Sequence, residues 1–396
     1  LHRLIRRQRQ MCIRDRKKCE EILSSLVRID TCQPEGNEER LIDWIIERLP
    51  QKAEYTRISH GAGRASLVVK IAGKSEKGGI ALIGHVDTVT CGNVDEWKDP
   101  PHQAVIRDGK LYGRGASDMK GGDAAMLLTL EQLCGEELRP EKPIYFCFTA
   151  DEENQGVGIR AMADGGLLNT VDEVLICEPS DSRISICEKG ALWLDVSVNG
   201  VSSHASRPDL GVNAVEAAYT FAEQIKQFIN EKKSHPILGA ATASVTRLTG
   251  GIMTNMIPPH AELEMDIRTV PGISHRDILA YAKTKAEILK KQFPGIGLDI
   301  SVANDRPAVE TGEDNSSVRR ILKLAGEMGM DPAPRGTYFY TDASQLIPVL
   351  PVPFVIAGPG DDKLAHCTDE YVEISSVALF SGFYYRYIVE NYIQEE

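Results

Sequence analysis

The chain has 396 residues, more than one hydrophobic core usually supports, and its 42% hydrophobic and 26% charged residues are typical of a globular protein. The formal net charge of −12 disfavours nucleic acid as a partner, because phosphate binding needs a basic surface. No apolar run approaches the roughly 20 residues of a membrane span, so we expect a soluble protein of about two domains with no membrane partner.

Residues 1–18 differ in composition from the rest of the chain. They hold eight Lys or Arg side chains against one acid, Asp15, and lack the apolar core and small-residue cleavage site of a secretory signal. An Arg-rich transit peptide is one interpretation, but such peptides are also rich in serine and this stretch has none. Residues 11–16 instead resemble translated adapter sequence. We therefore expect a non-native or disordered basic extension over residues 1–18.

Helices and strands alternate from residue 19 onwards. Apolar residues at helical spacing predict helices over Cys19–Leu26 and Asn37–Leu49, and short β-branched runs predict strands over Ala65–Ile71 and Gly79–Ile83. The same patterns predict a later helix and three later strands: Met119–Gly135, Pro143–Thr149, Val174–Cys177 and Phe354–Ala357. The alternation predicts an α/β domain, formed by residues 19–190 and 304–396, with a mostly parallel sheet and helices on both faces.

Residues 191–303 form a self-contained pattern between those two parts. It consists of a strand, a helix, two strands, a second helix and a last strand: Leu192–Val198, Val212–Ile229, Thr242–Leu248, Glu262–Thr269, His275–Phe293 and Leu298–Val302. The order βαββαβ is the ferredoxin-like arrangement. We expect an inserted α+β domain here, because the alternation of strands and helices resumes after it.

His85 and Asp87 stand two residues apart at the end of a predicted strand, so a continuing strand would point both to one face. Ligands in open α/β sheets collect at the carboxyl ends of strands. A metal-bound imidazole usually has its orientation fixed by outer hydrogen bonds, often from a carboxylate, and Asp87 is placed for a related role. The structural alternative is a buried histidine with an aspartate as hydrogen-bond partner.

Asp118 follows a loop that contains Gly113 and Gly115 and precedes a helix, where the backbone is able to approach a ligand closely. Its two oxygens suit a bridge between two metals, although an aspartate before a helix is more commonly an N-cap. Glu152 and Glu153 follow a strand, and their adjacent side chains diverge. One of them would bind a metal while the other acts as general base, whereas singly each would more often be a solvated loop acid.

Glu178 ends another apolar strand, and His366 lies in a polar loop after the strand Phe354–Ala357. Neither residue is specific by itself. The set is informative because its histidines and acids all fall at strand ends or in the loops that follow. Mixed imidazole and carboxylate ligands suit Zn²⁺, Co²⁺ or Mn²⁺, so the pattern predicts a metal-dependent hydrolytic site.

The nine cysteines are scattered, odd in number and free of any C-x-x-C pair. Their spacing indicates neither a disulfide framework nor a thiolate zinc site. A reducing cytoplasm is the compartment that fits this pattern best.

Five runs of residues, in this order, carry a resemblance to a known family: Gly84–Thr88, Tyr112–Gly121, Ala150–Glu153, Glu178–Ser180 and His366. From about residue 19 to 393 the chain resembles the acetylornithine deacetylase and succinyl-diaminopimelate desuccinylase family of di-metal amidohydrolases and peptidases. The resemblance implies two divalent metal ions, Zn²⁺ or Co²⁺, with Mn²⁺ as an alternative. It also implies a homodimer that acts on a small N-acyl amino acid or dipeptide.

The resemblance further implies a role for each residue of the set. His85, Asp118 and Glu178 would hold one metal, while Asp118, Glu153 and His366 would hold the other, with Asp118 as the bridge. Glu152 would be the general base and Asp87 an acid that supports the ligands. A cis peptide bond between Asp118 and Met119 is also expected.

Three further matching positions lie in the inserted domain and two lie in the last part of the chain. By resemblance, His204 would reach across the dimer to stabilise the oxyanion, Asn255 would hydrogen-bond the substrate and Arg268 would clamp a carboxylate. Thr341 would line the specificity pocket, and Gly358 would present backbone N–H groups to the substrate. The structural alternatives are an exposed turn histidine, a strand-end surface charge and a plain turn.

We therefore expect a hydrolase that cleaves the amide bond of an N-acyl amino acid, as acetylornithine deacetylase does, or of a short peptide. Alternatives are a dipeptidase or carboxypeptidase, a succinyl-diaminopimelate desuccinylase, or a non-catalytic metal-binding relative. The bulky run Tyr338–Tyr340 disfavours the desuccinylase. Glu152 favours a hydrolase over a binding protein, because a binding protein needs no unligated carboxylate beside its metal ligands.

Overall fold

The computed structural model describes residues 16–51, 53–61, 63–136 and 139–394. Most of the predicted basic extension lies outside the described residues. Residues 16–18 are an exception, because they are helical, and the Arg16 Nε lies 3.2 Å from the Glu20 carboxylate one turn later. These three residues are therefore not disordered, and the non-native origin of residues 1–18 stays a prediction. Arg and Lys are good helix formers, and the first helix includes them.

The helices are α1 (16–28), α2 (Glu38–Arg48), α3 (Gly121–Gly135), α4 (Val157–Asp164), α5 (Ala214–Asn230), α6 (His275–Gln292), α7 (Ser316–Glu327), α8 (Ala343–Leu346) and α9 (Ile374–Tyr392). Single 3₁₀ turns form at Val94–Glu96, Pro208–Leu210 and Asp362–Leu364. Asn213, Ser274 and Asn315 each accept a backbone N–H bond as N-caps, of α5, α6 and α7 respectively.

The strands are β1 (Glu54–Ser59), β2 (Ala65–Ile71), β3 (Ile80–His85), β4 (Val105–Arg107), β5 (Lys110–Tyr112), β6 (Ile144–Thr149), β7 (Glu173–Pro179), β8 (Ile184–Glu188), β9 (Gly190–Asn199), β10 (Thr242–Gly250), β11 (His260–Thr269), β12 (Gly297–Arg306), β13 (Val309–Glu310), β14 (Pro334–Thr337), β15 (Phe354–Gly358) and β16 (Tyr371–Glu373). Each predicted strand overlaps one of these, with ends that differ by a few residues.

The chain divides into two compact units. The first consists of the residues up to Ile186, of Thr311–Arg335 and of the residues from Thr341 onwards, and the second consists of Cys187–Glu310 and Gly336–Tyr340. The residues predicted for the inserted domain, 191–303, lie within the second unit. Gly336–Tyr340 joins that unit through the backbone bond from the Lys189 N–H to the Thr337 carbonyl.

The first unit contains a mixed sheet in the order β1-β2-β6-β3-β7-β15-β8. The four central strands β6, β3, β7 and β15 are parallel, and the outer strands are antiparallel. Every residue of those four strands is buried. Because successive side chains of a strand point to opposite faces, this burial means that both faces are covered, as predicted. The parallel strands bring their carboxyl ends to one edge.

The second unit contains a four-stranded antiparallel sheet in the order β10-β11-β9-β12, with α5 and α6 packed against it. This order with its two helices confirms the predicted ferredoxin-like arrangement. Leu192, Leu194, Val196 and Val198 of β9 are buried, and the residues between them are more exposed, so one face of the strand supplies the core.

Among the residues that the structure describes, no helix combines the length and the apolar character that crossing a membrane requires.

Candidate metal centre

The edge formed by the parallel strands of the first unit gathers the predicted acids and histidines. His85 is the last residue of β3, and Glu178 is the next to last residue of β7. Glu152 and Glu153 follow the end of β6 by three and four residues. Strand geometry thus brings together residues that are far apart in the sequence.

Asp118 lies in a turn between Gly115, whose φ is 82°, and helix α3. Its own φ of −119° and ψ of 97° are not helical, and the peptide bond from Asp118 to Met119 is cis, as predicted. Helix α3 begins at Gly121, so Asp118 is not its N-cap. Its Oδ1 lies 3.1 Å from the His85 Nε2 and its Oδ2 lies 3.4 Å from the His366 Nε2. Each oxygen therefore faces a different imidazole.

The remaining acids lie around these two imidazoles. The Glu178 Oε1 is 3.4 Å from the His85 Nε2, and the Glu153 Oε2 is 3.1 Å from the His366 Nε2. Two groups have ligand atoms that all lie within 4.8 Å of one another, namely His85 with Asp118 and Glu153, and His85 with Glu152 and Glu178. Glu152, predicted as the base, thus lies in the same cluster as the predicted ligands.

The charges of this cluster perturb one another strongly. Burial would lower the pKa of His85, but the Glu178 and Asp118 carboxylates raise it well above its ordinary value. Burial raises the pKa of Glu178 well above its ordinary value, with the Asp118 charge acting in the same direction. Hydrogen bonds to Asp118 and Glu153 raise the pKa of His366 to about 11. The acids and imidazoles behave as a single electrostatic unit.

This donor set fits divalent metal ions. Four carboxylates, those of Asp118, Glu152, Glu153 and Glu178, meet only two imidazoles, and three of the four are less than a tenth exposed. Buried carboxylates in close contact repel each other unless a cation offsets their charge. Oxygen and nitrogen donors without a thiolate are typical ligands of zinc, cobalt and manganese sites.

Asp87 contacts both His85 and the segment that carries Glu152 and Glu153. Its backbone carbonyl lies 2.9 Å from the His85 Nδ1, so Nδ1 is the donor and Nε2 is left to face the acids. Its carboxylate accepts the backbone N–H groups of Glu152 and Glu153, both at 3.1 Å, and the side-chain amide of Gln33 at 2.8 Å. The Asp87 side chain thus acts mainly on the segment that carries the two glutamates.

Glu370 holds the Asp118 turn in place and was missed from the sequence. Its buried carboxylate accepts the backbone N–H groups of Gly115, Ser117 and Asp118 at 3.0, 2.8 and 2.9 Å, and the Arg114 Nη1 lies 2.7 Å away. No motif marks Glu370, because its partners lie more than 250 residues earlier in the chain. Gln33 was also missed, because its partner Asp87 lies 54 residues later in the chain and no motif marks the contact.

Three predicted residues lie in the second unit. His204 is exposed, and its Nδ1 lies 2.8 Å from the Ser206 Oγ. The neighbouring Ala205 donates its backbone N–H to the Asn255 carbonyl, so the loops of His204 and Asn255 lie side by side. Arg268 in β11 donates to both oxygens of Asp266, through Nε at 2.9 Å and Nη2 at 3.0 Å. The Arg268 guanidinium, which was predicted to bind a substrate carboxylate, is paired with Asp266 in this structure.

Thr341 and Gly358 are both buried in the first unit. The Thr341 Oγ1 accepts the backbone N–H of Ala343 at 3.1 Å. The Gly358 N–H donates to the Ser180 Oγ at 3.2 Å, and the Gly358 carbonyl accepts the Ser180 hydroxyl at 2.9 Å. The Gly358 N–H that was predicted to face the substrate is therefore engaged by Ser180.

Known proteins are similar to this chain in sequence. The sequence pattern of peptidase family M20/M25/M40 matches residues 81–390. A Staphylococcus aureus (strain N315) protein named probable succinyl-diaminopimelate desuccinylase is 30% identical over 390 residues, which cover 89% of this chain and 92% of that protein. An acetylornithine deacetylase of Photorhabdus laumondii subsp. laumondii is 31% identical over 307 residues, 76% of each chain.

Solved structures that are similar over nearly the whole chain include a peptidase. It is a Bacillus subtilis protein described as a dinuclear metal binding peptidase from the M20 family, with a TM-score of 0.69 and 16% identity. The match covers 95% of this chain and 98% of that one. At this identity the comparison shows a shared fold.

Proposed function

The chain belongs to peptidase family M20/M25/M40, and from this membership we propose that it is a di-metal hydrolase that releases an amino acid from an N-acyl amino acid. Membership confirms the predicted family resemblance, and members of this family hydrolyse amide bonds. The observation that carries the proposal is the contact of Asp118 with two separate imidazoles.

We assign the two metals as follows. His85, Glu178 and one Asp118 oxygen would hold the first, and His366, Glu153 and the other Asp118 oxygen would hold the second. The distances between these side chains, 3.1 to 3.4 Å, support the assignment, because atoms that share a metal lie this close. Zn²⁺ and Co²⁺ suit this set best, with Mn²⁺ as the alternative. When bound, such ions supply Lewis acidity that polarises a carbonyl and acidifies water.

Glu152 is the residue that we assign as general base. Its backbone is fixed by Asp87, and its side chain is 5% exposed beside the ligands. The His366 Nε2 lies 3.1 Å from the Glu153 Oε2, which supports Glu153 as the metal ligand of the two adjacent glutamates, and the family resemblance assigns Glu152 the proton transfer. Glu152 would take the proton from the attacking water and deliver it to the leaving amine.

The second unit supplies three of the four residues that we propose for substrate binding, and the first unit supplies Thr341. Asn255 and His204 lie on adjacent loops, which suits one group that hydrogen-bonds the substrate and another that stabilises the oxyanion. Arg268 would exchange its Asp266 partner for a substrate carboxylate, since the same fork geometry serves both. Thr341 would line the pocket for the amino-acid side chain.

We further propose that the protein is a homodimer. Strand β10 is an edge of its sheet and is largely exposed, with Val245 and Leu248 each 39% exposed. Nearby, Ile252 and Met253 are 69% and 61% exposed. An unpaired edge strand flanked by apolar side chains suits pairing with a second copy. Sedimentation equilibrium of the wild type and of Val245→Lys tests this, and a wild type that stays monomeric at assay concentration would contradict it.

Two substrate classes compete. Relatives named acetylornithine deacetylase and probable succinyl-diaminopimelate desuccinylase favour N-acyl amino acids. By resemblance, the run Tyr338–Tyr340 disfavours a succinyl substrate, because it is bulkier than the Gly and Ser version common in desuccinylases. Short peptides are the second candidate, since the similar fold of a peptidase is compatible with them.

The proposal is tested by a hydrolysis panel of N-acetyl and N-succinyl amino acids, including ornithine and diaminopimelate derivatives, together with dipeptides. Each substrate is assayed with Zn²⁺, Co²⁺ and Mn²⁺. We expect turnover of at least one N-acyl amino acid, and loss of turnover together with metal in Asp118→Ala. Turnover of none of the panel by the metal-loaded wild type would overturn the proposal.

A further inference from the structure

A second cluster of metal-ligand side chains lies in the first unit and shares no residue with the centre described above. It consists of Cys32, Cys91 and His102, all half-buried. The two Sγ atoms are 3.5 Å apart, and the His102 Nε2 lies 3.7 Å from the Cys32 Sγ and 3.4 Å from the Cys91 Sγ. Three separate loops meet at this point.

These separations match those of ligands around one tetrahedral metal. With bonds of about 2.3 Å to sulfur and about 2.05 Å to nitrogen, tetrahedral angles give sulfur–sulfur distances of about 3.8 Å and sulfur–nitrogen distances of about 3.5 Å. The observed values lie within a few tenths of an ångström of both. Ordinary packing does not require three such atoms to converge.

The imidazole is oriented as a metal ligand requires. The His102 Nδ1 lies 3.2 Å from the Val27 carbonyl, so Nδ1 carries the proton and donates it there. In the neutral imidazole Nε2 is then the deprotonated nitrogen, and it faces the two sulfurs. An outer hydrogen bond that fixes the tautomer in this way is typical of metal-binding histidines.

Asp30 adds a carboxylate on this side of His102. Its Oδ1 lies 3.4 Å from the His102 Nε2, close to the roughly 3.3 Å expected for nitrogen and oxygen ligands of one tetrahedral ion. The same Oδ1 accepts the backbone N–H of Cys32 at 3.0 Å, which fixes its position. The Thr88 hydroxyl donates to the Cys32 Sγ at 3.4 Å, which helps to fix the position of this sulfur.

We propose that Cys32, Cys91 and His102, with Asp30 as fourth ligand, form a third metal site that binds Zn²⁺ or another borderline-soft divalent cation. Binding converts both thiols to thiolates and releases their protons to solvent, with no change of oxidation state. Thiolate ligands distinguish this site from the carboxylate and imidazole centre, which has no sulfur.

The site would stabilise the segment that supports Glu152 and Glu153 through Asp87. Thr88 and residues 31–33 are joined by two backbone bonds, from the Gln33 N–H to the Thr88 carbonyl at 2.8 Å and from the Thr88 N–H to the Thr31 carbonyl at 3.0 Å. Gln33 in turn donates to the Asp87 carboxylate. Cys32 lies in one of these two segments, and Cys91 follows Thr88 of the other. A metal held by both cysteines would therefore link the two segments.

Cobalt substitution tests the proposal on the full-length protein. The wild type is stripped with a chelator, kept reduced and titrated with Co²⁺ without oxygen. We expect a near-ultraviolet thiolate-to-cobalt charge-transfer band and one more equivalent of bound metal than the other centre accounts for. Cys32→Ser and Cys91→Ser should each lose the band and that equivalent. Cys134→Ser, which removes a half-buried thiol from α3, should keep both.

Asp118→Ala separates this proposal from the proposed function. It should lose the metals of the carboxylate centre while keeping the charge-transfer band. Absence of the band in the reduced wild type would overturn the third site, whatever the hydrolytic activity. A Cys32–Cys91 disulfide in freshly purified, alkylated protein, found by mass spectrometry, would also overturn it and would assign the pair to redox chemistry.

Discussion

Substitution of Glu370 by glutamine tests how the Asp118 turn is held. The Glu370 side chain is 1% exposed, and its two oxygens accept from four donors, three backbone N–H groups and the Arg114 guanidinium. In Glu370→Gln one oxygen becomes an NH₂ group, which is itself a donor. Two of the four donors then face another donor and lose their bonds.

The size of the effect follows from these contacts. Hydrogen bonds to a charged group contribute roughly 1.5–3 kcal/mol each, so the loss of two predicts a decrease of about 3–6 kcal/mol in the free energy of unfolding. Burial raises the pKa of Glu370, because the buried carboxylate loses the hydration of its charge. We therefore expect the decrease in the free energy of unfolding to lie at the lower end of this range. Displacement of Asp118 should also weaken metal binding by roughly 10–100-fold, as for other groups that orient ligands.

Urea unfolding of the chelated protein and competition with a chromophoric chelator measure the two effects. Glu373→Gln is the matched control, because it makes the same chemical change at an exposed position of β16. An unfolding midpoint and a metal affinity equal to those of the wild type in Glu370→Gln would refute the argument that Glu370 holds the turn.

Two further predictions concern residues near the centre. Burial and the nearby Asp87 carboxylate raise the pKa of Glu38 from its ordinary 4.5 to about 7. The contribution of Glu38 to stability is therefore fully present below pH 4.5 and is lost as the pH rises through 7. The stability of Glu38→Gln relative to the wild type should thus rise by about 3 kcal/mol over that range, measured by urea unfolding of chelated protein. A constant difference across this range would contradict the assignment. A Cβ on Gly122 would lie 2.2 Å from the Cys177 carbonyl oxygen, whereas a Cβ on Gly135 of the same helix would meet nothing within 4 Å. We expect Gly122→Ala to destabilise by about 3 kcal/mol and Gly135→Ala to change thermal stability by about 1 kcal/mol or less, and equal melting temperatures would contradict the clash.

The fold was largely predictable because its signals are local. Buried parallel strands such as β3 and β6 are short apolar runs, and the inward residues of β9 alternate with more exposed ones. Periodicity therefore identified these elements, and the connection order identified the ferredoxin-like unit. Their ends shifted by a few residues, because tertiary hydrogen bonds extend strands beyond the apolar run.

The site was predictable only where chemistry coincides with strand ends. His85 and Glu178 terminate strands, and Asp118 precedes a helix, so their positions were visible in the sequence. Glu370 acts through hydrogen bonds to distant backbone and Gln33 through a hydrogen bond to the Asp87 carboxylate, and no sequence spacing encodes either contact.

The cluster of Cys32, Cys91 and His102 shows the same limit. Its cysteines are 59 residues apart, and a search for closely spaced pairs does not find them. Pairing of half-buried Arg268 with Asp266 was missed, although residues two apart on a strand point to the same face.

The central claim is that Glu152 transfers protons beside metals that other residues hold. The most direct measurement is the turnover of Glu152→Gln on the best substrate of the panel, with metal content determined on the same sample. We predict wild-type metal content and a kcat lower by about 10²–10⁴-fold, the range that a positioned general base contributes. Wild-type turnover in the metal-loaded variant would contradict the account, and so would loss of metal from it.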